Sequence, residues 1–270
     1  MSFFADLSPV TIAALVCVLA AASTVFGGLS VLWAKRSNPR LLAFGLAFAG
    51  GAMVYISFVE ILVKSQDYFK QEFAGTQMPY LAATVAFFIG ILLLVILDRL
   101  LPNPHLKLDP RRPHKHPHTH THIKRVGLFA TLAITAHNIP EGMATFFATL
   151  DHPDLGIALA VAIAIHNIPE GVSIAIPVYY ATGSRRAAFT ATLISALAEP
   201  FGAAIGYVIL APFLSPMVYG ALFGIIAGAM VYLALDELLP TARRYAKGHE
   251  TVYGIIAGMG ALAVSLVLFK

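Results

Sequence analysis

The chain is short of charge. Asp, Glu, Lys and Arg make up 12% of its 270 residues against 58% apolar residues, and the mean hydropathy is +0.78. Roughly 25% charge is usual for a soluble domain, so a water-soluble globule is excluded and much of the surface is expected to face lipid. Cysteine occurs once, at Cys17. That excludes an intrachain disulfide and any thiolate metal cluster, and leaves Cys17 as a small apolar filler. The opening MSFFADLSPV has no Lys or Arg, so the basic stretch of a cleavable secretion signal is missing and the first apolar run is expected to be retained.

Apolar runs of about 20 residues recur along the chain, each long enough to cross about 30 Å of hydrocarbon as a helix. Eight are legible, near residues 9–33, 41–64, 79–101, 126–149, 155–178, 187–211, 217–240 and 251–269. The pI near 9.2 would suggest nucleic acid, but the positions of the basic residues argue against such a partner. Fifteen of the eighteen Lys and Arg fall around alternate loops, after spans 1, 3, 5 and 7, leaving only Lys64, Lys70 and Lys270 for the other side. By the positive-inside rule both termini lie outside the cytoplasm and the number of spans is even. The expected fold is an all-α integral membrane protein of eight transmembrane helices, forming one transmembrane domain over residues 1–270.

Two internal repeats organise it. GAMVYISFVEIL (51–62) aligns with GAMVYLALDELL (228–239), and the two copies run in opposite directions through the bilayer. That is the signature of an inverted repeat, here spans 1–3 against spans 6–8 around a central pair 4 and 5. The second repeat is His-Asn-Ile-Pro-Glu-Gly, at 137–142 and again at 166–171, central in spans 4 and 5.

On a helix, His137, Asn138 and Glu141 share one face, and His166, Asn167 and Glu170 share the equivalent face. Pro140 and Pro169 lack the N–H that would pair with the Ala136 and Ile165 carbonyls, so both helices are expected to open locally and present an extra oxygen. Span 6 adds Glu199 at similar depth. No Lys or Arg is central in any span, so three buried carboxylates must be balanced by protons or cations. Imidazole, carboxylate and amide oxygen without thiolate suit first-row divalent metals broadly, Zn²⁺, Fe²⁺, Mn²⁺ and Co²⁺. A lone intramembrane histidine would read as a structural hydrogen-bonding residue. Seven polar residues in duplicated order read as an ion path.

The two HNIPEG copies, the AEP of span 6, the DELLP of span 7 and the histidine-rich third loop resemble the ZIP (Zrt/Irt-like protein) family of divalent metal transporters, over essentially the whole chain and most of all its bacterial members. The resemblance implies uptake of Zn²⁺, with Fe²⁺, Mn²⁺ and Co²⁺ as related substrates, across a bacterial inner membrane, with no cofactor and no enzymatic activity. It also implies a two-metal centre: His137, Glu141, His166 and Glu170 at one site, Asn138, Glu141, Asn167, Glu170 and Glu199 at the other, with the glutamates bridging. Some family members differ where this chain has His166 or Asn167, so metal preference does not follow from the resemblance. The divalent ion and the lipid bilayer are the expected partners, and a homodimer is left open.

Glu60, toward the outer end of span 2, and its repeat mate Glu237, beside Asp236 near the inner end of span 7, are candidate entrance and exit ligands. Solvated helix ends would account for them equally well. In the cytoplasmic loop at about 102–124, His114, His116, His118, His120 and His122 alternate in HKHPHTHTH and form a candidate metal-capture segment, compatible with a solvated proline-rich linker. Two other classes compete. An intramembrane metal hydrolase would use His and Glu four residues apart, but it needs an open coordination position and no second mouth. A metal sensor or scaffold would not need paired proline-bearing helices.

Overall fold

Lipid offers no partner to a backbone N–H or C=O, so a chain this apolar must satisfy them internally. The computed structural model describes residues 7–29, 39–100 and 138–269, and all of the secondary structure among them is helical. In chain order the helices are α1 (Pro9–Leu29), α2 (Pro39–Ile56), α3 (Leu62–Glu72), α4 (Met78–Leu100), α5 (138–151), α6 (Pro153–Thr182), α7 (Arg185–Leu210), α8 (Pro216–Leu233), α9 (Leu239–Tyr245) and α10 (Glu250–Phe269).

Seven helical stretches among the described residues are long and apolar enough to cross a membrane. They match seven of the eight expected spans. The other, near 126–149, is helical from residue 138 onward, and its first half lies outside the described residues. Starts are locally encoded. The hydroxyls of Ser184 and Ser215 accept from the backbone N–H groups of Ala187 (3.2 Å) and Val218 (3.3 Å), capping α7 and α8. Gly183, at φ +67°, closes α6 in the left-handed conformation that favours glycine.

Two expectations need correction. Span 2 does not end near residue 64 but continues to Glu72, because the polar run KSQDYFKQE remains helical beyond the apolar segment. The second motif copy also does not open its helix at Pro169. α6 stays α-helical through that residue and α7 through Pro200, so each proline removes one hydrogen bond without breaking the rod. The irregular turns lie elsewhere. α2 joins α3 through a π-helical turn at Ser57–Ile61, and α8 joins α9 through another at Ala234–Leu238. The sequence repeat aligns Ser57 with Ala234 and Ile61 with Leu238, so the two turns coincide residue for residue. One holds Glu60, the other Asp236 and Glu237. Single π turns in a helix frequently mark functional positions.

Close packing follows glycine. A Cβ on Gly228 would fall on the Phe87 carbonyl, and one on Gly90 on the Ile225 carbonyl, so α4 and α8 touch backbone to backbone. α2 and α10 do the same through Gly51 at Ile255 and Gly258 at Phe48. Around the middle of the bundle, Gly27 meets Ile168 and Gly171 meets Thr24, joining α1 to α6. Gly202 meets Ile139 and Gly142 meets Glu199, joining α7 to α5. Where lipid and side chains are equally apolar, such small-residue contacts hold helices together by dispersion rather than by exclusion of water.

Candidate metal centre

The α1–α6 and α5–α7 contacts bring the two motif copies to the middle of the bundle. Asn138, Glu141, His166, Asn167, Glu170 and Glu199 are all buried, none more than 4% exposed. His137 lies outside the described residues. The remaining polar groups of the two copies interlock. The ring Nε2 of His166, in the second copy, is 3.3 Å from Oε1 of Glu141, in the first. The Asn138 amide of the first copy hydrogen bonds to the Glu170 carboxylate of the second. It also donates to the Ser195 carbonyl on α7 at 3.1 Å.

Glu199 completes the group from α7. The Asn167 amide donates to its Oε1 at 2.7 Å and to the Ala20 carbonyl of α1 at 3.2 Å. The Thr24 hydroxyl reaches the same Oε1 at 3.5 Å. Glu141, Glu170 and Glu199 lie near enough to one another to repel when ionised. Among the described residues, the buried atoms Asn138 Oδ1, Glu141 Oε2, His166 Nδ1, Asn167 Oδ1 and Glu199 Oε2 find no hydrogen-bond partner. Each can donate an electron pair to a cation. Among the described residues no three His, Cys, Asp or Glu side chains alone form a metal-holding cluster. The set that converges mixes carboxylate and imidazole with asparagine oxygens, a hard, oxygen-rich donor set that holds no thiolate. Cys17, buried in α1, points its thiol at the Gly142 carbonyl (3.7 Å) as a packing residue.

Glu60 is not a solvated helix end. It is buried in its π turn and lies 3.9 Å from the Lys64 ammonium. Asp236 is exposed and Glu237 half-buried in the second π turn. His114, His116, His118, His120 and His122 lie outside the described residues. Thr24 is a site residue that sequence reasoning missed. Setting STVFGG (23–28) against AEPFGA (198–203) aligns it with Glu199, but only Phe and Gly match. Threonine beside glutamate at the matching position carries no recognisable ligand pattern.

The fold and this centre define a polytopic helical membrane protein with an acid-rich donor set sealed among its spans. A profile of the family described as "ZIP Zinc transporter" matches residues 103–266. The chain is 57% identical over 261 residues to "Zinc transporter ZupT" of Stenotrophomonas maltophilia (strain R551-3), covering 97% of each chain. Its identity to "Zinc transporter ZupT" of Neisseria meningitidis serogroup B is 56% over 264 residues, 98% of each. To that of Chlorobium chlorochromatii it is 43% over 256 residues, 93% of this chain and 95% of the relative. The chain belongs to the ZIP zinc transporter family. These relatives are named as transporters, and the hydrolase alternative finds no support among them.

Proposed function

We propose that this protein carries Zn²⁺, and with it Fe²⁺, Mn²⁺ and Co²⁺, into the cytoplasm through a two-metal centre at mid-membrane. The observation that carries this reading is the crossed pairing of the two motif copies, His166 on Glu141 and Asn138 on Glu170, buried among carboxylates whose repulsion a divalent ion would relieve. The high identity to proteins named as zinc transporters supports the choice of zinc. His137, Glu141, His166 and Glu170 bind one ion, and Asn138, Asn167 and Glu199 join the two shared glutamates at the second. Glu60 receives the ion, Asp236 and Glu237 release it, and the five loop histidines from His114 to His122 raise its local concentration. No resident cofactor is needed.

The architecture we propose is an inverted repeat of spans 1–3 and 6–8 about the pair 4 and 5. Its support is the pairing of the glycine contacts. Gly228 at Phe87 is answered by Gly51 at Ile255, Gly90 at Ile225 by Gly258 at Phe48, Gly171 at Thr24 by Gly142 at Glu199, and Gly27 at Ile168 by Gly202 at Ile139. The register is the same in every span pair. Thr24 and Gly27 stand against Glu199 and Gly202, Phe48 and Gly51 against Ile225 and Gly228, Phe87 and Gly90 against Ile255 and Gly258, and Ile139 and Gly142 against Ile168 and Gly171. The loop charge bias, with eight spans expected, supports both termini lying on the outer face of a bacterial inner membrane.

The test is zinc entry into proteoliposomes holding a trapped zinc-sensitive dye. The wild-type protein should fill them, and Glu141→Ala and Glu170→Ala should each reduce the initial rate to that of empty vesicles while reconstituting normally. Near wild-type rates in either variant would end the assignment of that glutamate as a shared ligand.

A further inference from the structure

Lysine is among the most costly residues to hold inside a bilayer, and its position there calls for a partner and a reason. Lys64 lies within the Arg40–Glu72 span with its side chain only 13% exposed. Its ammonium is 3.9 Å from Oε1 of Glu60, one helical turn back, and 5.8 Å from the centre of the Phe223 ring. A carboxylate four residues before a lysine is the favourable orientation of such a pair.

The neighbourhood leads to the metal centre. Phe223 stacks with Tyr219 and Tyr68, and Tyr219 meets Phe147 of α5 at 6.2 Å. Phe147 is six residues beyond Glu141, about 9 Å along the helix axis at 1.5 Å per residue. Among the described residues the buried acids are Glu60, Glu141, Glu170 and Glu199. The last three form the centre, and Glu60 stands apart from them with a lysine. A cation–carboxylate distance of 3.9 Å, longer than the roughly 2.7–2.9 Å of a tight charge-assisted hydrogen bond, describes a pair that can part.

We propose that Lys64 is a built-in counter-ion that sets selectivity at this mouth: its ammonium neutralises Glu60, and a divalent cation gains Glu60 only by displacing it. A divalent ion attracts the carboxylate with twice the charge of the ammonium, whereas Na⁺ or K⁺ has no such advantage, so the exchange favours divalent over monovalent ions. In the displaced state the ammonium swings toward the aqueous end of α3. The inference rests on the transport reading and adds to it a residue that lowers affinity in exchange for selectivity.

The first test uses the unmodified protein. Reductive methylation of Lys64 in proteoliposomes, read by mass spectrometry against Lys70, should speed up when zinc is added. The second is zinc uptake by Lys64→Gln, whose half-saturating zinc concentration should fall by about tenfold, the effect of roughly 1.4 kcal/mol of released attraction. In the double variant with Glu60→Gln that gain should vanish. Labelling of Lys64 that is indifferent to zinc, or a Lys64→Gln half-saturation that is unchanged or higher, overturns the proposal. If Lys64→Gln does not fold, the labelling result decides alone. Absence of zinc uptake by the wild-type protein would instead remove the transport reading, while normal uptake with a zinc-indifferent Lys64 removes only this inference.

Discussion

Asn167 gives its amide N–H groups to Glu199 and to the Ala20 carbonyl, while its Oδ1 finds no partner among the described residues. An amide tied at its donor end and free at its acceptor end is aimed at something electron-poor, and Asn138 is arranged alike. This polarity is partly legible in the sequence. The doubled His-Asn-Ile-Pro-Glu-Gly and Glu199 announce the donors, because residues of that cost in an apolar run need a reason. Thr24 is not legible, since one hydroxyl in an alanine-rich helix is ordinary. Its hydroxyl and the Asn167 amide are the donors that orient Glu199 Oε1. Thr24→Val keeps the shape and removes one donor, worth about 1 kcal/mol. Zinc affinity at the site that Glu199 joins should fall about fivefold by titration calorimetry, and Thr24→Ser should restore it; wild-type affinity in the Val variant would make the contact incidental.

The order of the helices follows from the sequence, while their irregularities do not. Apolar length identifies a span, but a π turn is one extra residue absorbed within a helix and leaves no periodic trace. Prolines mislead in the opposite sense. They predict opened helices at 140 and 169, yet α6 stays α-helical through both Pro169 and Pro177, each of which gives up only the one bond it cannot make. Helix contacts are equally hidden, since glycine in an apolar run signals neither a partner nor a face. The contacts make a sharp prediction about stability. A Cβ on Gly171 would fall on the Thr24 carbonyl, whereas one on Gly260 in α10 meets nothing within 4 Å. Gly171→Ala should therefore cost about 1–3 kcal/mol or more through overpacking. Gly260→Ala should be neutral or gain up to about 1 kcal/mol from helix propensity. Thermal denaturation in detergent separates them, and equal melting temperatures would mean α1 and α6 do not touch as described.

Across the whole molecule, charge decides what the bundle can hold. Three carboxylates share the centre, and the described ion pairs of lysine and arginine lie at Glu60, Asp67 and Glu250 instead. Two divalent ions supply enough positive charge to balance three ionised acids, and the crossed pairing of the motif copies makes each copy dependent on the other. Removing one copy's glutamate should therefore disturb both ions together. The reasons for this expectation are legible in the sequence, because duplication, loop charge and composition are whole-chain properties that need no coordinates. Which copy's imidazole meets which copy's carboxylate requires the fold.

The most direct measurement is the number of zinc ions bound per purified chain, by elemental mass spectrometry after equilibrium dialysis, with the loop segment 114–122 deleted so that it does not contribute. About two ions per chain are expected in the otherwise wild-type protein if the proposed two-metal centre is right; one ion would mean that a proton balances the third buried acid. Fewer than about one should remain in either Glu141→Ala or Glu170→Ala, since the proposed centre shares each glutamate between its two sites. Two ions retained in both variants would contradict a centre built from the two motif copies.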